Sequence, residues 1–392
     1  MSEGGIPAPA LFLGAIVLAG AGYFGYAALQ STSLGAPAAA RAVAERLDVA
    51  PWSNAVTSEP RVASALETLA AAPCDKPAMF QLAAGLERSG AVEEAAEALL
   101  GFADSCEDGA GERYRAVNLL FGLGSHGRAA TEASALIEAQ PLVGQYYFAR
   151  AQALEAREGE EDGARARRAA ALGDYASALA LLTSSARAGD GLLEAAARRF
   201  SASARHCEAA TILALRGGRL SGRLTRLAET FRAAGCGSAY ASGEAIAQRR
   251  NSAAASIEVR VNGVAGRFLI APDAPFLTVT PEFAARAQLG GEGPSVMLRD
   301  VSPGSAESSE AAVQARAAQA RLLRARRVAL GDAGEGTAGE AVASDVSVLA
   351  LERPLAGTPD GADGTLGRSF LARFDVTLGA RALRVRSKPP QR

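Results

Sequence analysis

Covalent chemistry needs a nucleophile, a proton donor or acceptor, or a set of metal ligands, and this sequence holds few of them. It has two histidines, His126 and His206, and four cysteines, Cys74, Cys106, Cys207 and Cys236. A structural zinc site takes its ligands in close pairs, about two to five residues apart. The cysteines fall instead as two widely spaced pairs, so no metal ligand set and no cofactor motif is read. His206 and Cys207 are adjacent, and an imidazole beside a thiol is the minimum of a Cys–His nucleophile. That pair sits in a helical stretch, where a lone histidine is usually structural, and a disulfide at Cys207 would remove the thiol. Residues 331–340 are glycine-rich but lack the Lys-Ser/Thr step and the following helix of a phosphate cradle. One carboxylate stands out by position: Asp273, in the run Ala271-Pro272-Asp273-Ala274-Pro275 between two apolar segments. What it can do depends on the elements that hold it.

Those elements change period near residue 251. Upstream, apolar residues recur at three- and four-residue spacing with regular breakers, the pattern of amphipathic helices. Apolar residues make up 49% of the chain but aromatics only 5%, so those helices must pack through Ala, Leu and Gly. In the stretch from Phe80 to Ala95, Ala83 and Ala95 would let two antiparallel helices approach, with Gly90 at the turn. That stretch resembles a tetratricopeptide unit. A weaker one runs from Tyr114 to Pro141, with Gly127 near its turn and Ala133 on the following helix, and a third starts at Tyr146. Such arrays bind peptides in a concave groove or serve as spacers, and no charged or aromatic stripe decides between the two. Downstream, Ser256-Ile257-Glu258-Val259-Arg260-Val261 alternates as a strand should. Asn262-Gly263 is a hairpin turn, and Val264 to Ile270 returns as the partner strand. Thr280 is placed to cap a helix that begins with Pro281.

This succession resembles the bacterial retropepsin-like aspartic proteases over roughly residues 255–387. There a hairpin ends in an apolar triplet, then Asp-Thr-Gly-Ala-Ser, a few apolar positions and a Ser/Thr-Pro-x-x-Ala helix. A second element agrees: Thr365-Leu366-Gly367, then Arg368-Ser369-Phe370-Leu371, Phe374-Asp375-Val376 and a last strand at Ala382-Leu383-Arg384-Val385. In the family the apolar-apolar-Gly step lies against the active-site loop, which here makes Leu366 and Gly367 structural-motif residues. Laid on Phe268-Leu269-Ile270 without a gap, the catalytic motif falls on Ala271, Pro272 and Asp273, with alanine where the aspartate belongs. The mechanism needs two carboxylates that share a proton and activate one water, one from each subunit of a homodimer. Alanine can neither hold nor deprotonate that water, and Pro272 has no N–H. The resemblance therefore implies a pseudoprotease. Sliding the frame by two residues makes Asp273 the catalyst, without the Thr and the Gly, and leaves a homodimeric aspartic endopeptidase as the alternative. The covering hairpin expected between Val296 and Val328 is replaced by a polar loop and an Ala/Gln/Arg stretch.

Residues 6–29 form one long apolar run, enough for a transmembrane helix of about 20 residues. A cleaved signal peptide is the rival reading, against which the first five residues carry no Lys or Arg. Arg41 and Arg46 after the run favour a cytoplasmic location for the remainder of the chain. The cysteines oppose them: two pairs, Cys74 with Cys106 and Cys207 with Cys236, each bracketing a helical hairpin, look like disulfides of an oxidising compartment, unless all four are reduced and buried. The charge of −1 offers no basic field for nucleic acid, and the Arg-over-Lys bias is that of a GC-rich bacterial genome. The expected architecture is multidomain α + β: an N-terminal transmembrane anchor at 1–30, a linker at 31–60, a tetratricopeptide-like helical domain at 61–250 and a retropepsin-like β-barrel domain at 255–387. The expected protein sits in a bacterial inner membrane with its bulk in the periplasm, binds a polypeptide, and uses no metal or cofactor.

Overall fold

The structure is a computed structural model. It describes residues 38–157, 163–184, 189–203, 205–214, 220–235, 241–248, 256–272, 274, 276–290, 293–300, 316–331, 339–353, 361–379 and 382–388. The chain divides into two compact units, Met1–Glu132 and Ala133–Arg392.

Helices run α1 (Ala38–Arg46), α2 (Asn54–Thr57), α3 (Pro60–Ala71), α4 (Lys76–Arg88), α5 (Val92–Ser105), α6 (Ala110–Gly122), α7 (His126–Ala139), α8 (Gly144–Ala156), α9 (Ala164–Ser184), α10 (Asp190–Ser201), α11 (His206–Ala214) and α12 (Gly222–Gly235). In the first unit the sequence signals for helix ends are met. Asp75 accepts from the Ala78 N–H at 2.7 Å to start α4, a cap worth about 1 kcal/mol. Gly90, with φ +82°, turns the chain into α5. Ala83 and Ala95 are both fully buried, as close helix packing requires. At the α6–α7 turn the left-handed residue is Gly124, while Gly127 lies inside α7. Ion pairs tie helices two apart, Arg115 of α6 to Glu87 of α4 and Arg128 of α7 to Glu97 of α5, while Arg88 of α4 pairs with Glu59 at the start of α3. At or near the surface, they orient the helices more than they stabilise them. Cys74 and Cys106 are disulfide-bonded, clamping the outer ends of the α4–α5 hairpin as expected. Within the stretch expected as a linker, α1 buries Ala40, Val43 and Ala44, and Trp52 is 5% exposed.

The second unit joins helices α8–α12 to the sheets. Arg150 of α8 holds Asp174 of α9 through both oxygens, at 2.8 and 2.7 Å. Burial pushes the Asp174 carboxyl up while Arg150 pulls it down. Strands follow as β1 (Ala241–Ser242), β2 (Glu244–Gln248), β3 (Ser256–Val261), β4 (Val264–Ile270), β5 (Leu277–Val279), β6 (Ser295–Asp300), β7 (Arg316–Leu330), β8 (Ala341–Leu351), β9 (Gly364–Leu366), β10 (Phe374–Leu378) and β11 (Ala382–Ser387), with short helices α13 (Pro281–Arg286) and α14 (Arg368–Leu371). Ile257, Val259 and Val261 are fully buried, the alternate positions of β3. Asn262 and Gly263 both take positive φ and turn β3 into β4 with Val261 opposite Val264, a two-residue turn of the kind Asn-Gly favours. Asn262 also docks the turn, donating to Ala287 O at 3.1 Å. Thr280 accepts from the Phe283 N–H at 3.2 Å and caps α13 as read from the sequence.

Eight strands pair in the order β1-β8-β5-β9-β4-β3-β7-β6, with β7 also pairing β8, and a separate sheet runs β10-β11-β2. Phe268, Phe283, Phe370 and Phe374 fill the core between them. Two parts of the expected architecture need correcting. Among the described residues the sheet is not a closed barrel: β1 and β6 end the ladder, β10, β11 and β2 split off, and the sheet bends back on itself where long β7 meets β8. Nor is any described helix long and apolar enough to cross a membrane. The longest, α9, carries Arg165, Arg167, Arg168 and Asp174, charges a hydrocarbon layer rejects. The apolar run at 6–29, on which the anchor rested, lies outside the described residues.

Candidate functional site

The loop of residues 271–276 leaves β4 and enters β5, and both strands are held by one short insert. Strand β9 lies between them, parallel to β4 with Ile270 opposite Leu366 and antiparallel to β5 with Thr278 opposite Thr365. The two threonine hydroxyls, facing across that pair, share a hydrogen bond of 2.6 Å. The fit requires glycine at both ends of β9. A Cβ on Gly364 would collide with the Thr278 carbonyl oxygen, and one on Gly367 with those of Phe276 and Ala274. Backbone atoms cannot swing aside, so these glycines serve close approach.

The loop is fastened at four points. The Ala271 N–H donates to Leu366 O at 3.1 Å, and the Arg368 N–H to Ala274 O at 2.9 Å. The Arg368 Nε donates to Pro272 O at 2.9 Å. At the exit the Leu277 N–H donates to the buried Ser369 Oγ at 2.7 Å. Within the loop the Ala274 N–H returns to Ala271 O at 3.0 Å, a tight turn in which Pro272 gives up no needed donor. Leu366 and Gly367 therefore lie against the described part of the loop.

Ala271 is the first residue beyond β4. Among the described residues of the loop, Ala271, Pro272, Ala274 and Phe276, no side chain can hold or deprotonate a water. Asp273 and Pro275 lie outside the described residues. The carboxylate nearest β9 in sequence is Asp363, and it is committed: it accepts from the Arg267 N–H at 2.8 Å and pairs with Arg286. Sequence reading gave no role to Thr278, Ser369 or Arg368. Their partners lie some ninety residues away in the chain, and only the Gly-Arg-Ser step after β9 hinted at them.

The other candidates close off. Cys207 is disulfide-bonded and cannot act as a nucleophile with His206, whose ring packs on Phe231 at 6.1 Å. The partner of that bond, and Cys236 with it, lies outside the described residues, as do residues 332–338 of the glycine-rich stretch. Of the segment between Val296 and Val328, β6 and β7 form an antiparallel pair from Ser295–Arg321 to Asp300–Arg316, so the Ala/Gln/Arg stretch is strand from residue 316 on.

No family model matches the chain. No curated protein matches it either. Among solved structures, the crystal structure of a retropepsin-like aspartic protease from Rickettsia conorii is similar at 18% identity, over 36% of this chain and 90% of that one, with a TM-score of 0.23.

Proposed function

We propose that the region 255–387 is a retropepsin-like module without proteolytic activity, a pseudoprotease that binds a polypeptide. One observation carries this reading: Ala271 leads the loop that β9 and Arg368 hold in place, at the position where the resemblance calls for the catalytic aspartate. A water in this site would meet a methyl group in place of one of the two carboxylates the mechanism needs. The described residues of the loop are nonetheless held by hydrogen bonds at both ends, which suits a surface that presents backbone groups to an extended chain.

A second copy of the chain is the partner we propose for β10. That strand ends its sheet with no further strand on its outer edge among the described residues. It also exposes Val376 at 39% and Leu378 at 50%, an edge and face that call for a cover. The Cys74–Cys106 disulfide supports an oxidising compartment, which in a bacterium is the periplasm.

The test is direct. The purified full-length chain, incubated with a peptide library at acid and neutral pH, should cleave nothing, and Asp273→Asn should leave that result unchanged. Pepstatin-sensitive cleavage that Asp273→Asn abolishes would overturn the reading and make Asp273 the catalyst. Sedimentation of the wild type against Val376→Lys should show a dimer reduced to monomer, and a monomeric wild type would refute the pairing of β10.

A further inference from the structure

The outer edge of β6 should be an open one, because β6 ends the eight-stranded ladder. It is covered by helix α9. Ser177, only 3% exposed, accepts from the Met297 N–H at 2.9 Å and donates to Gly173 O at 2.8 Å, so its hydroxyl is used in both directions. One turn earlier the helix backbone comes so near the strand that a Cβ on Gly173 would lie 2.8 Å from Ser295 O. A second helix reaches the neighbouring strand. Glu208 of α11 is fully buried, and both its oxygens are taken by Arg324 of β7, each at 2.8 Å. Arg205 adds a third contact at 3.3 Å.

Each contact has a brace beside it on the helix side. Asp174, next to Gly173, is held through both oxygens by Arg150. Cys207, next to Glu208, is disulfide-bonded. On the strand side the contact continues through paired residues. Arg324 lies opposite Ser347 and Leu323 opposite Val348, and Val348 lies opposite Leu277, the first residue of β5 after the loop of residues 271–276.

We propose that α9 and α11 form a built-in strap that fixes the β6–β7 arm and, through β8, the exit of the 271–276 loop. Displacing the helices would free the arm first and the loop exit with it, so whatever occupies the loop is energetically linked to the helical layer. This linkage stands whether or not the loop is catalytic.

Hydrogen exchange on the full-length chain tests it. In Glu208→Gln, which keeps the shape and removes the charge-assisted pair, amides of residues 317–330 and 346–350 should exchange about tenfold faster. Those of β2, β10 and β11 should hold their wild-type rates. Ser177→Ala, which deletes one hydroxyl, should release β6 amides alone, above all Met297, and decides the matter if Glu208→Gln does not fold. Unchanged exchange in the arm, or an equal rise in β2, β10 and β11, would overturn the strap: the first means no hold, the second mere support of the whole unit. Combined with Arg324→Gln, Glu208→Gln should add no further acceleration.

Discussion

Gly367→Ala is the sharpest probe of how the 271–276 loop is held. The residue has φ −101°, so alanine suffers no backbone strain there, and the whole effect is steric. Its Cβ would lie 2.8 Å from Ala274 O and nearer still to Phe276 O. Relief requires the loop to lift from β9, which breaks the Ala271–Leu366 and Arg368–Ala274 hydrogen bonds. Two such bonds at about 1 kcal/mol each, with an overpacking cost of about 1–3 kcal/mol, give a loss of roughly 3–5 kcal/mol. The only tryptophan, Trp52, lies in the first unit. Peptide-resolved hydrogen exchange under rising urea follows the second unit instead. Gly191→Ala is the matched control: nothing lies within 4 Å of its added methyl, and it should be neutral or gain up to about 1 kcal/mol. If Gly367→Ala unfolds within about 0.5 kcal/mol of the wild type, a surface-substitution effect, and keeps its Ala271 and Arg368 amides protected, close approach at β9 is not what fixes the loop.

Three further outcomes are expected. Cys74→Ser should destabilise the first unit by about 3–4 kcal/mol from loop-closure entropy, read as a lower urea midpoint of Trp52 fluorescence, and prior reduction of the wild type should reproduce it. Burial pushes the Tyr147 hydroxyl from 10.0 up to about 12; because the folded value is the higher, its contribution to stability is intact below pH 10 and is lost as pH rises through about 12. Tyr147→Phe should flatten that alkaline limb in a pH series of denaturation midpoints. Thr280→Ala removes the cap on α13 and should cost about 1 kcal/mol, with faster exchange at the Phe283 amide as the local signature.

Where the chain's own local rules decide structure, the sequence was readable. The alternation of β3, the Asn262-Gly263 turn and the Thr280-Pro281 helix start each depend on a few neighbouring residues, and all three are present. The Cys74–Cys106 bond was legible because the pair brackets one helical hairpin. What could not be read were features set by distant partners. Arg324 looked like one more charge in an Ala/Gln/Arg stretch, since its carboxylate lies 116 residues earlier. Thr278 looked like an ordinary strand residue, since its hydroxyl partner Thr365 lies 87 residues later. Gly127 lies near the α6–α7 turn, as the second residue of α7, while the left-handed residue is Gly124, three positions earlier, because two glycines near one helix end satisfy the same rule. At the site the local pattern fixed the alignment that puts Ala271 at the head of the loop, while its fastening by Ser369 and Arg368 required the fold.

The placement of β9 also imposes an order in time. Its two neighbours, β4 and β5, are made about a hundred residues before it, and β2 likewise waits for β11, with Glu244 opposite Arg386. On a ribosome the β3–β4 hairpin can form as soon as it emerges, because its turn is two residues long. The gap between β4 and β5 stays open until Leu366 is out, with the apolar Phe268 and Leu277 unshielded beside it. Non-local pairing of this kind is slow and leaves strand edges exposed to other chains. During that interval a holding chaperone has an obvious task, and a ribosome stalled before Gly364 would leave a product that cannot finish. The 271–276 loop, gripped by Leu366, Arg368 and Ser369, is then among the last parts of the chain to take its shape.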